Sequence, residues 1–200
     1  TDMAASANAV IAISGDYYIF RQLGITVYQR QLYRFAPKSV DSCFFTASGD
    51  MLFSRAGEMS SQEEAQQFIT DNDVTFAVAF GPVMVDNGQL AEFGSYPIGE
   101  NNRTYSRTAI GQRKDGAVVF VCIDGRQAGS AGGTYKDVID IMIEYGVVNA
   151  CNMDGGSSSI MVYRDTYGLF GEAGTVQVIN SYSLLQERPR KMPTFWMVAP

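Results

Sequence analysis

The chain has 200 residues, 46% of them hydrophobic and 18% charged, with 20 glycines and no histidine. This is the composition of a folded chain with ample length for a buried core, and it excludes disorder. A net charge of −6 argues against a general nucleic-acid binder, which needs a basic face to displace counterions from phosphate.

Residues 9–14 read as a buried strand ending at Ser14-Gly15-Asp16-Tyr17-Tyr18, which sets a carboxylate at the strand's end. Residues 25–35 alternate as a hairpin with Arg30 and Gln31 near its tip. Residues 42–46 and 51–54 flank Ala47-Ser48-Gly49-Asp50, a second hairpin in which Gly supplies the turn's unusual backbone angles. At residues 61–70 the period changes to that of a helix, opened by a Ser and Glu capping box. Residues 74–85 are apolar and broken by Gly81-Pro82, and the chain then turns at Asp86-Asn87-Gly88. Residues 94–105 carry no apolar period and read as a surface loop able to cover a pocket.

Residues 106–112 and 117–124 flank Asp115-Gly116, a strong hairpin signal. Thr134 with Asp137 caps a second, broadly apolar helix that stops at Gly146. Apolar runs before and after residues 149–162 place the polar cluster Asn152 to Ser159 on a tight connection at a sheet end. Strands at 175–179 and 194–199 close the chain, with the basic stretch Glu187-Arg188-Pro189-Arg190-Lys191 between them. The expectation is one α+β domain over residues 1–200, with a mixed or largely antiparallel sheet and two main helices.

The longest uninterrupted apolar run, 117–123, is too short to span a bilayer, and the expected chain has neither membrane segment nor signal peptide. Cys43, Cys122 and Cys151 are far apart in strand-like contexts and read as buried core thiols. Lacking histidine, the chain has no Ser-His-Asp or Cys-His nucleophile and no His-ligated zinc, so proton chemistry falls to carboxylates, Tyr, Lys or Cys. Eleven Arg against four Lys allow a local anion site, because the guanidinium fork matches phosphate.

Strand alternation points Asn152 and Asp154 one way and Cys151 and Met153 the other, while Cys122 and Asp124 share a face. If their strands are neighbours, Asp124 and Asp154 converge at one sheet edge. Two carboxylates and a nearby Arg are a minimal set for glycosyl or phosphoryl chemistry. The amides of Gly155 to Ser158 offer an anion nest, although the sequence is not a Walker loop.

The blocks Arg107-Thr108-Ala109-Ile110-Gly111, Asp124-Gly125-Arg126 and Asn152-Met153-Asp154-Gly155-Gly156-Ser157-Ser158, in this order, resemble the phosphodiester glycosidase family. The likeness extends to Asp16 with its flanking residues and to Glu187-Arg188-Pro189. It departs at Ser14, where the family commonly has Asn, and at Met153 and Ser157, where it has Leu and a third Gly. The resemblance implies hydrolysis of a sugar 1-phosphodiester of the N-acetylglucosamine type, with a glycan or sugar phosphate as partner and a secreted or cell-surface setting. On it Asp154 is the nucleophile or base, and Asp124 and Asp16 are acid or sugar-binding partners. Arg107, Arg126 and Arg188 hold phosphate, while Asn152, Gly155, Gly156, Ser157 and Ser158 orient the site. No cofactor is required, and a divalent cation stays open. Two other readings are a metal-dependent phosphodiesterase using Asp16, Asp124 and Asp154 as oxygen ligands, and a non-catalytic glycan-binding module.

Overall fold

The computed structural model describes residues 1–16, 22–93, 102–127, 129–181 and 191–200. A short helix α1 (Asp2–Ser6) precedes β1 (Ile11–Ser14). Two hairpins follow, β2 (Gly24–Tyr28) with β3 (Gln31–Ala36) and β4 (Ser42–Thr46) with β5 (Met51–Ser54). The first turns through Gln29 and Arg30, both at positive φ (49° and 65°), the backbone that matches the twist of its strands. Helix α2 (Gln62–Asp71) starts where Ser61 accepts the Glu64 amide, while the Glu64 carboxylate reaches back to the Ser60 amide.

Next come β6 (Val74–Ala79), β7 (Val83–Asp86), β8 (Gln89–Leu90), β9 (Arg107–Arg113) and β10 (Val118–Ile123). Helix α3 (Tyr135–Glu144) opens with the reciprocal Thr134 and Asp137 capping box. The chain ends through β11 (Val147–Met153), a 3-10 turn at Gly156–Ser158, β12 (Met161–Arg164), β13 (Val176–Val178) and β14 (Phe195–Val198).

These strands form three sheets, ordered β13-β12-β1-β14, β10-β9-β11-β7-β8 and β3-β2-β6-β4-β5, and among the described residues every strand pairing is antiparallel. The α+β class and the two main helices match the expectation, while the single sheet becomes three. An open twisted sheet seldom exceeds about ten strands, so a chain this rich in strands divides. Gly81-Pro82 is where the division is made: β6 belongs to one sheet and β7 to the next. Helix α1 and strand β8 are too short to leave a periodic signal in the sequence.

One core cluster joins all three sheets, drawing Ile13 from β1, Cys43 from β4, Ile110 from β9, Met153 from β11 and Trp196 from β14. Met153 fits this place chemically, since its sulfur accepts the buried Trp196 indole N–H at 3.1 Å, which an aliphatic side chain could not. Helix α3 packs Tyr135, Val138 and Met142 on Ala109, Val147 and Ala150 of the five-stranded sheet that contains β9 and β11. Helix α2 packs Ala65 and Ile69 against Ile25, Val27 and Phe44. Cys43 and Cys151 are buried, Cys122 is half-buried, and all three are free thiols. Among the described residues no helix is long and apolar enough to cross a membrane.

Candidate active site

Strand β9 lies between β10 and β11 and runs antiparallel to both, with Ile123 opposite Arg107 and Met153 opposite Thr108. The start of β9 and the ends of its neighbours therefore share one edge. Asp124-Gly125-Arg126 and Asp154-Gly155-Gly156 arrive on the two sides of Ser106, with β9 between their strands rather than the two strands side by side. Contact there is through backbone. The Gly156 amide donates to Ser106 O at 2.8 Å, and both Gly125 and Gly155 lie so close to Ser106 that a Cβ would strike it.

The block from Arg107 to Gly111 divides its side chains between two faces. Ala109 and Gly111 face α3, and a Cβ on Gly111 would fall 2.8 Å from Met142 Sδ. Ile110 enters the common core, and Thr108 is buried where the Ser14 hydroxyl reaches its Oγ1 at 3.3 Å. Ser14 also lies 3.2 Å from the Asp154 carbonyl, and the Asp154 amide donates to Gly15 O at 2.9 Å. The strand end that carries Asp16 thus braces the backbone that carries Asp154.

Arg107 is buried against α3. Its Nε donates to Gly133 O at 2.9 Å and its Nη2 to Arg103 O at 2.7 Å, and its guanidinium lies over the rings of Tyr135 (4.2 Å) and Tyr105 (5.3 Å). Burial pulls its pKa below the usual arginine value, opposed by Tyr135 and Tyr105, and burial raises the Tyr135 phenol. Arg126 differs: it is exposed, in left-handed backbone (φ 58°), with its guanidinium 4.2 Å over Tyr105.

Asp124 is half-buried and fixed by Asn180, whose Nδ2 donates to its Oδ1 at 3.0 Å, and by the Ser181 amide, which donates to its Oδ2 at 3.0 Å. Asn180 also donates to Ser159 O at 2.9 Å and accepts the Met161 amide at 2.7 Å. It ties the Asp124 carboxylate to the turn that follows Asp154, and the sequence reading missed it. The signal existed: Val162 opposite Val178 in the β12-β13 hairpin, extended two places, sets residue 180 against residue 160.

Asp154 is buried at the end of β11. Asn152 is fastened to the chain reversal at Gly81-Pro82, its amide donating to Pro82 O at 3.0 Å and its Nδ2 to Gly81 O at 3.0 Å. Its Oδ1 and the Ser159 Oγ are buried and have no hydrogen-bond partner among the described residues. Of the four amides in the expected nest, those of Gly156 and Ser158 donate to Ser106 O and Gly155 O. The nest narrows to the amides of Gly155 and Ser157.

Asp16 stands apart from this group in its commitments. It is fully buried, takes Arg34 Nη2 at 3.0 Å in an ion pair whose side chains are 7% and 1% exposed, and accepts from Thr194 Oγ1 at 3.0 Å. Arg34 donates in turn to Thr26 Oγ1 at 2.6 Å. Among the described residues no three acidic or thiol side chains group closely enough to hold a metal ion, so Asp16, Asp124 and Asp154 do not form the ligand trio of the metal-dependent reading. Arg188, with the basic stretch around it, most of the loop at 94–105, and Tyr17 and Tyr18 lie outside the described residues.

Residues 7–199 match the phosphodiester glycosidase family. Curated relatives include the SPbeta prophage-derived uncharacterized protein YomE of Bacillus subtilis (strain 168), 28% identical over 170 residues, 82% of this chain and 26% of that protein. N-acetylglucosamine-1-phosphodiester alpha-N-acetylglucosaminidase of Bos taurus is 30% identical over 98 residues, 46% of this chain and 18% of that one. The chain thus spans about a quarter or less of the length of these relatives. The zebrafish N-acetylglucosamine-1-phosphodiester alpha-N-acetylglucosaminidase catalytic domain, a solved structure, superposes with a TM-score of 0.72 over 98% of this chain and 65% of its own. At 19% identity that likeness speaks for the fold. With nearly its whole length matched, the chain belongs to the phosphodiester glycosidase family.

Proposed function

We propose that the protein hydrolyses a sugar 1-phosphodiester by breaking the bond between the anomeric carbon and the phosphate oxygen. Water supplies the hydroxyl that ends on the sugar and the proton that ends on the released phosphate. The observation that carries this reading is the convergence of Asp124-Gly125-Arg126 and Asp154-Gly155 on the two sides of the strand start that bears Arg107. Phosphate leaves readily, so the larger requirement is charge: a cation for the departing anion and a carboxylate for an oxocarbenium-like transition state. Neither needs histidine.

Asp154 is the nucleophile or base, and Asp124, held by Asn180, is the acid or sugar-binding partner. Arg126 and Arg107 take the phosphate, with Arg188 as a third cation, and the Gly155 and Ser157 amides assist. The buried Asn152 Oδ1 is suited to accept a sugar hydroxyl, since an unpartnered buried acceptor carries a cost that such a contact removes. Asp16, already paired with Arg34, supports the floor of the site in this scheme. An N-acetylglucosamine-type sugar, as in the name of the bovine relative, and an extracytoplasmic setting are the finer parts of the same reading.

The test is turnover of a panel of sugar 1-phosphodiesters in isotopically labelled water, with and without chelator. Free sugar released together with unlabelled phosphate supports cleavage at carbon, since the anomeric hydroxyl takes up label by exchange and phosphate does not. Label recovered in phosphate would show cleavage at phosphorus and overturn the proposal, as would glycan binding without turnover.

A further inference from the structure

Tyr105 was singled out by no motif, yet two cations lie over its ring, Arg126 at 4.2 Å and Arg107 at 5.3 Å. The backbone at Tyr105 is fixed. Its amide donates to Gly133 O at 3.1 Å, and the Gly133 amide returns a bond to Tyr105 O at 2.9 Å. Gly132, at φ +106°, presses so close that a Cβ there would fall 2.5 Å from Tyr105 O. The same Gly133 carbonyl also accepts Arg107 Nε at 2.9 Å, so ring and buried guanidinium share one anchor.

Arg126 has no such anchor. It is exposed, and among the described residues no hydrogen bond or ion pair holds its guanidinium, which rests on the Tyr105 ring. A free arginine side chain samples many rotamers and loses that freedom on binding. An aromatic face attracts a guanidinium through the ring quadrupole and fixes its plane before the ligand arrives. Two guanidiniums gathered on one ring repel each other, and an anion bound beside them offsets that repulsion.

We propose that Tyr105 is a positioning residue, whose ring holds Arg126 beside Arg107 as one two-cation site for the phosphate of the substrate. The inference rests on the phosphodiester reading of the site and adds to it the side chain that assembles the clamp. Tyr105 touches no reacting atom. It acts through Arg126, and its effect must vanish when Arg126 is absent.

Calorimetric titration with inorganic phosphate and with N-acetylglucosamine 1-phosphate tests this. Tyr105→Ala should weaken both by about tenfold while the protein still melts cooperatively, and Tyr105→Phe, which keeps the aromatic face, should stay within about twofold of the parent. In an Arg126→Ala background, Tyr105→Ala should cost little more, the coupling expected of two groups acting as one. Parent-like binding by Tyr105→Ala overturns the proposal and leaves the phosphate reading standing. An equal loss in both backgrounds overturns it in favour of a general packing role. If the parent protein binds neither anion, the phosphate reading of both arginines falls and the proposal with it, an outcome the parent titration alone identifies.

Discussion

Gly125 and Gly155 press on one residue from its two sides: a Cβ at Gly125 would fall 2.6 Å from Ser106 N, and one at Gly155 would fall 2.8 Å from Ser106 O. Neither contact is with a flexible side chain that could swing away. Gly125→Ala and Gly155→Ala should each cost about 1 to 3 kcal/mol of stability and lower activity by spreading the strand ends apart. Gly129→Ala, where a Cβ meets nothing within 4 Å, is the control and should stay within about 0.5 kcal/mol. Urea unfolding midpoints of the three variants decide the matter.

Asp154→Asn keeps the shape of the side chain and removes its charge. Loss of one such contact in a transition state costs on the order of 2 to 4 kcal/mol, so kcat/KM on a sugar 1-phosphodiester should fall by about two to three orders of magnitude with the fold intact. Parent-level turnover by a folded variant would remove Asp154 from the mechanism.

Asp16 should behave differently, because its carboxylate closes a buried ion pair with Arg34. Removing one member leaves an uncompensated buried charge, and about 3 to 5 kcal/mol of stability goes with it. Asp16→Asn and Arg34→Met should both lower the melting temperature markedly, and the double variant should recover part of the loss. Parent-like stability with lost activity in Asp16→Asn would return Asp16 to the reacting groups.

Asn180→Ala removes the donor at 3.0 Å from Asp124 Oδ1 and the tie at 2.9 Å to Ser159 O. A hydrogen bond to a charged group contributes about 1.5 to 3 kcal/mol. The variant should lose roughly tenfold to a hundredfold in kcat/KM, and Asn180→Gln, with its amide displaced, should not restore it. Steady-state kinetics on the three proteins provide the check.

Burial, and then the charge of Asp124 two residues on, push the Cys122 thiol up to about 12 from an ordinary value of 9.0. Between those pH values the unfolded chain has lost a proton that the folded chain keeps. The stability associated with this group is therefore complete below 9 and lost as pH rises toward 12. Cys122→Ala should flatten the decline of the urea midpoint across that alkaline window. Thiol alkylation at pH 8 should be slow in the folded protein and fast after unfolding.

What could be read from the residues was local. Asp115-Gly116 and Gly49-Asp50 mark their hairpins because the turn dictates the residue, and Thr134 with Asp137 marks a helix start because the orphan amides need those side chains. Alternation suggests that Asp124 and Asp154 share a sheet edge if their strands are neighbours, but the strands are not adjacent: β9 lies between them. What failed depended on packing between sheets. Nothing near Asp16 announces Arg34, which reaches it from a strand of another sheet. Asn180 is a lone amide after an apolar run until the β12-β13 pairing returns it to Asp124. The split into three sheets turns on Gly81-Pro82, a break visible in the sequence without its destination.

Among the described residues strand β1 pairs with β12 and β14, so that Ile11 lies opposite both Tyr163 and Val198. Thr194, which accepts the Gly15 amide through its carbonyl and reaches Asp16 through its hydroxyl, stands 178 residues further along the chain than Asp16. Contacts of such long sequence separation close large loops and form slowly, because the entropy of closure is lost before the contact rewards it. The brace beneath Asp154 therefore depends on the most distant pairings in the fold, while the hairpins of the other two sheets need only their own turns.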